Sequence, residues 1–92
     1  MDIYAQIVVK IIKAQETIIG PVAIEQAQQV SSLKIDWQHQ QVDISGDEAD
    51  AIDRLIDKYK TLFGQISTEV SKEAAASLLG KLSPDDVPKA LK

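Results

Sequence analysis

The sequence predicts a small α+β domain: a long kinked N-terminal helix, a β-hairpin, then one long or two shorter helices. Three observations predict it. Apolar residues recur three or four apart at both ends of the chain, the signature of helix faces turned to a core. Between them, LKIDWQHQQVDIS alternates apolar and polar residues, the period of half-buried strands. The chain has 92 residues, of which 45% are hydrophobic, enough for one folded domain and too few for two.

The first helix is read from about residue 2 to about residue 30. Ile3, Ile7, Ile11, Ala14, Ile18 and Val22 form one row. Tyr4, Val8, Ile12, Ile19, Ala23 and Ala27 form a second row beside it. The stripe keeps its phase across Gly20-Pro21, which favours one helix with a kink there. Pro21 lacks an N–H and crowds the carbonyl of Thr17, so a break with Pro21 opening a new helix is the competing reading. A continuous helix would be about 43 Å long, too long for the remaining chain to cover.

Ser31-Ser32 closes that helix. Leu33, Ile35 and Trp37, then Val42 and Ile44, form the inner faces of two strands joined by a turn at Gln38 to Gln40. Next, Ser45 and Glu48 offer a capping box, and Asp47, Glu48 and Asp50 suit a helix N-terminus. Core positions then follow at Ile52, Leu55, Ile56, Tyr59, Leu62, Phe63, Ile66, Val70, Ala74 and Leu78. The second helix either runs through Gly64 or breaks there, with Ser67 capping a new one. The central glycines, Gly20 and Gly64, suggest that the two helices cross at them. Gly80 stops the helix, and Ser83-Pro84-Asp85-Asp86 forms one short turn before a tail. Residues 1–82 are read as the domain and 83–92 as turn and mobile tail.

Composition narrows the function. A net charge of −4 repels phosphate backbones, so no nucleic-acid partner is expected. Apolar runs are broken by Lys10, Lys13 and Glu16, so no membrane span is expected. There is no cysteine, which removes disulfides, thiolate metal sites and thiol nucleophiles and fits a reducing compartment. MDIYAQIVVK lacks the basic start of a signal peptide. A cytoplasmic location is the expectation.

No catalytic constellation can be assembled. His39 is the sole histidine, placed at the hairpin turn near Asp36 and Asp43, where a solvated turn residue outweighs a ligand or a base. DISGDEADAIDR brings five Asp and Ser side chains together but fails as a calcium loop. Its sixth position is Glu48 rather than glycine, and its twelfth is Arg54 rather than glutamate. The four glycines stand alone, so nothing cradles a phosphate. Thr68 and Ser71 read as cap or helix-surface residues. Asp50 to Arg54 is the best helical ion pair. No metal, no cofactor and no enzymatic activity are expected.

What remains is an apolar surplus. The expected function is a non-catalytic protein–protein interaction or oligomerisation module with a regulatory role. It would act as a homodimer or by docking on a larger protein, with Ile7, Ile11, Ile18, Val22 and Trp37 at the interface. The alternative is a small-molecule or ion sensor whose pocket lies between the first helix and the hairpin, near Trp37 and His39.

Overall fold

Asp2 starts the first helix. In the computed structural model, which describes residues 1–92, its side chain accepts from the Ala5 N–H at 2.8 Å and caps α1, Ile3–Ile19. The helix stops at Gly20, which takes φ 69° and ψ −152°. Pro21 follows at φ −59° and leads into α2, Val22–Gln28. The expected continuous helix over residues 2–30 is therefore not formed, and Pro21 opens a second helix instead. Gly20 adopts a left-handed φ at little steric cost, and Pro21 could not have donated back into α1. The change of direction lays Ala23 and Ala27 into the core while Ile18 and Val22 turn outward.

Two short strands follow, β1 Leu33–Asp36 and β2 Gln41–Ile44, paired antiparallel with Leu33 opposite Ile44 and Asp36 opposite Gln41. Leu33 and Val42 are buried, while Lys34, Asp36, Gln41 and Asp43 are exposed. Period-two alternation thus holds as read. Short strands with charged outward residues discourage further pairing at the sheet edges.

Asp47, rather than Ser45, caps α3, Glu48–Phe63, by accepting from the Asp50 N–H at 3.1 Å. The Ser45 N–H instead donates to the Ser32 carbonyl at 2.9 Å, which ties the hairpin's ends together. The chain breaks again at Gly64, φ 81°, and α4 runs Gln65–Leu79. Ser67 lies inside α4 and its hydroxyl donates to the Gly64 carbonyl at 2.7 Å. No helix crossing explains either glycine. A Cβ placed on Gly20 or Gly64 would meet nothing within 4 Å, so what each position requires is the positive φ, not close approach.

The C-terminal residues pack on the domain. A 3-10 turn spans Pro84–Asp86, and the Asp86 carbonyl accepts from the Tyr4 hydroxyl at 2.8 Å. A second spans Lys89–Leu91, where the Ala90 N–H donates to Asp53 Oδ1 at 2.9 Å and Leu91 is buried. The radius of gyration is 11.7 Å, close to the ~12 Å of a compact chain this long. One copy therefore closes its own core, built from Ile7, Ile11 and Ile12 of α1 and Ile52, Leu55, Ile56 and Tyr59 of α3.

Candidate functional site

The helix ends converge at one end of the molecule. Gln15, near the end of α1, donates through Nε2 to the Ser67 carbonyl at 2.9 Å and to Ser71 Oγ at 3.2 Å, near the start of α4. Tyr59, near the end of α3, donates to the Ala23 carbonyl at 2.6 Å, at the start of α2. These three bonds pin the Gly20-Pro21 junction beside the Gly64 junction. All three are buried, where a made hydrogen bond counts most. Burial pushes the Tyr59 phenol well above its usual pKa, so it stays a donor.

Around these junctions large apolar side chains stand exposed among polar ones. Five large hydrophobic side chains are well exposed, and four of them lie here: Ile18 at 62%, Val22 at 36%, Leu62 at 54% and Ile66 at 67%. Between α1 and α4 a groove of about 400 Å³ is lined by Ala14, Thr17, Ile18, Val70, Glu73 and Ala74. Ile66 stands one helical turn from Val70 and extends the same apolar row. On the adjoining side, Gln26, Gln29, Asp57, Lys58, Thr61 and Leu62 line a polar cleft of about 390 Å³. Lys58 Nζ donates across it to Gln29 Oε1 at 3.2 Å.

Of the residues expected at an interface, Ile7 and Ile11 are fully buried in the core. They cannot meet a partner while the domain is folded. Ile18 and Val22 are exposed at the helix junction, and Trp37 is half-buried against the core. Leu62 and Ile66 read as core in the sequence and are exposed instead. The break at Gly64 rotates the chain between them. Conversely, Ser67, Thr68 and Ser71 read as caps or surface and are buried. One signal could have found this network: Ile7, Ile11 and Gln15 share one four-residue spacing, which points Gln15 inward.

The titratable groups of the hairpin and of the α3 N-terminal half form no site. His39 Nδ1 lies 2.8 Å from Asp36 Oδ2, both exposed, and the hydrogen bond holds the Asp36 carboxyl below its usual range. Asp43 pairs in register with Lys34 and does not join them. Arg54 and Asp50 form the expected ion pair at 2.9 Å. No three His, Cys, Asp or Glu side chains stand close enough to hold a metal ion. The cleft between α1 and the hairpin, about 200 Å³, is lined by Met1, Asp2, Ala5, Val42, Asp43, Ile44 and Glu48 and includes neither Trp37 nor His39. There, the Asp2 carboxyl facing Glu48 pushes Glu48 up to about 7, and Asp2 itself is lowered.

No helix is long and apolar enough to cross a membrane. No protein-family model matches the chain, and comparisons with curated proteins and with solved structures find no significant match.

Proposed function

We propose that this domain is a non-catalytic protein–protein interaction or oligomerisation module that associates through the apolar end formed by the α1–α2 and α3–α4 junctions. The observation that carries the reading is the gathering of Ile18, Val22, Leu62 and Ile66 at that end, in a chain whose core is already closed. Burying one such side chain fully is worth about 1.5–3 kcal/mol, and a cluster left to solvent forgoes several times that. Contiguous exposed apolar surface is characteristic of association sites. The rigid pins beneath it, Gln15 to Ser67 and Tyr59 to Ala23, support the same reading. A preorganised surface loses less entropy on binding.

The experiment is capture from a native lysate on the immobilised chain, read by mass spectrometry, beside an Ile18→Asp/Ile66→Asp variant. Both side chains are exposed, so the variant keeps its fold, which circular dichroism checks. The proposal expects a saturable binder, a second copy included, on the parent and its loss on the variant. Equal capture by both proteins would refute it.

A further inference from the structure

We propose that the face formed by α1 and α4 receives a second copy of this chain, in a two-fold dimer whose axis runs along the helices. Each α1 then lies over the α4 of the other copy. The inference rests on the association reading above and names its partner. The first ground is the groove. The two helices run antiparallel, with Gln15 against Ser67 and Ser71, and with Ala14 and Ile18 facing Val70 and Ala74. Ile66 and Ile18 stand exposed along it.

Charge is the second ground, and it selects the occupant. The α1 rim carries Lys10 and Lys13, both exposed, and the α4 rim carries Glu69 and Glu73, both exposed. None of the four enters an ion pair within the chain; the two pairs that exist are His39–Asp36 and Arg54–Asp50. Glu16 and Lys72, the residues of opposite sign on these helices, lie two positions beyond Ala14 and Val70. They also lie one position before Thr17 and Glu73, about 100° round their helices from these groove residues, and both are half-buried behind the exposed Lys13 and Glu69. One rim is basic and the other acidic, so the face is complementary to a rotated copy of itself.

Two rotations can stack such a face on itself. An axis across the helices sets α1 on α1 and α4 on α4, placing lysine over lysine and glutamate over glutamate. An axis along the helices sets each basic rim over the other copy's acidic rim, twice by symmetry. Like charges brought together suppress the first arrangement and opposite charges favour the second. The face is two helices wide and about 25 Å long, so the pair would bury roughly 1,000 Å², the lower end for a specific interface. Association in the micromolar range follows, rather than an obligate dimer.

The test is sedimentation equilibrium of the full chain from about 1 μM to about 1 mM, the range suited to so small an interface. It compares the parent, Lys10→Glu/Lys13→Glu, Glu69→Lys/Glu73→Lys, and the fourfold swap. The inference expects a dimer for the parent and dissociation constants raised by about tenfold or more in each double variant, from four rim pairs turned repulsive. It expects the fourfold swap to return within about threefold of the parent. All four positions are exposed, so loss of fold does not confound the comparison. Double variants that dimerise like the parent, or a swap that fails to recover, would overturn the arrangement. A parent that stays monomeric throughout overturns the second copy as occupant. In that case, capture from lysate that depends on Ile18 and Ile66 leaves the association reading standing, and no capture sinks both.

Discussion

Replacing Gln15 by alanine and by leucine separates what its hydrogen bonds contribute from what its volume contributes. Gln15 is 1% exposed and donates to the Ser67 carbonyl and to Ser71 Oγ. Alanine removes both bonds, at about 0.5–1.5 kcal/mol each, and leaves a cavity where the side chain was. With a few methylene-sized groups lost, the total comes to about 3 kcal/mol. Leucine removes the same two bonds but fills most of the space. It also orphans no buried group. Ser71 Oγ already donates to the Ser67 carbonyl at 2.9 Å, so those two stay satisfied. The desolvation cost of the amide disappears as well, which brings Gln15→Leu within about 1 kcal/mol of the parent. Urea unfolding followed by circular dichroism at low, fixed concentration reads the difference, with Trp37 fluorescence as a second probe. With a urea dependence near 1 kcal/mol per molar, a gap of about 2 kcal/mol separates the two midpoints by about 2 M. Coincident midpoints would refute the reasoning, because they would mean that the amide's bonds, and not its volume, hold α1 to α4.

Three further outcomes are expected. Tyr59→Phe loses the 2.6 Å bond to the Ala23 carbonyl and little volume, so stability should fall by about 1 kcal/mol and the melting temperature by about 4–8 °C; an unchanged melt would show that α2 is not pinned there. Gly64→Ala and Gly80→Ala should move in opposite directions. Neither Cβ meets an atom within 4 Å, but Gly64 sits at φ 81° and Gly80 at φ −65°, so the first should cost about 1–2 kcal/mol and the second gain about 0.5 kcal/mol, as denaturant midpoints would read. The Asp2–Glu48 pair makes stability pH-dependent with two signs. Folded Glu48 keeps its proton up to about 7 where the unfolded chain releases it near 4.5, so its contribution is full below 4.5 and is lost as pH rises through 7. Asp2, lowered from 3.8, contributes above that value and loses its contribution as pH falls. Melting temperature against pH should therefore decline between about 4.5 and 7 in the parent and flatten there in Glu48→Gln; parallel profiles would sink the pairing.

Much of the fold was legible because the strongest signals are periodic and local. The alternation of Leu33, Ile35, Val42 and Ile44 specified the hairpin faces, and the three-to-four spacing located the core of α1 and α3. Less legible were features set by tertiary context. Asp47 and Ser45 are both competent caps, and only the hairpin's closure, which takes the Ser45 N–H to Ser32, leaves the cap to Asp47. Gln15, Ser67 and Ser71 look solvated one by one and are buried only as a bonded set. At the candidate site, Ile18 and Val22 were singled out in the sequence and are exposed, whereas Leu62 and Ile66 read as core and are exposed as well.

Stripe continuity across the glycines has a second meaning. A stripe in phase across Gly20 and Gly64 would stay buried only if each helix ran straight through. Both helices break, since each glycine takes a positive φ and α2 turns aside from α1. Residues that continue the phase on either side of a break then cannot all face the core. Of those near the breaks, Ile19 and Phe63 pack against the core, while Ile18 and Val22 at the first junction and Leu62 and Ile66 at the second are left outside. The pins from Gln15 and Tyr59 bring the two junctions together, so all four residues lie at the same end of the molecule. Helical termination alone would tolerate polar residues at these four positions, and polar residues there would be cheaper in water. Their apolar character is therefore unaccounted for by the fold of a single copy, and the association proposed at this end would use it.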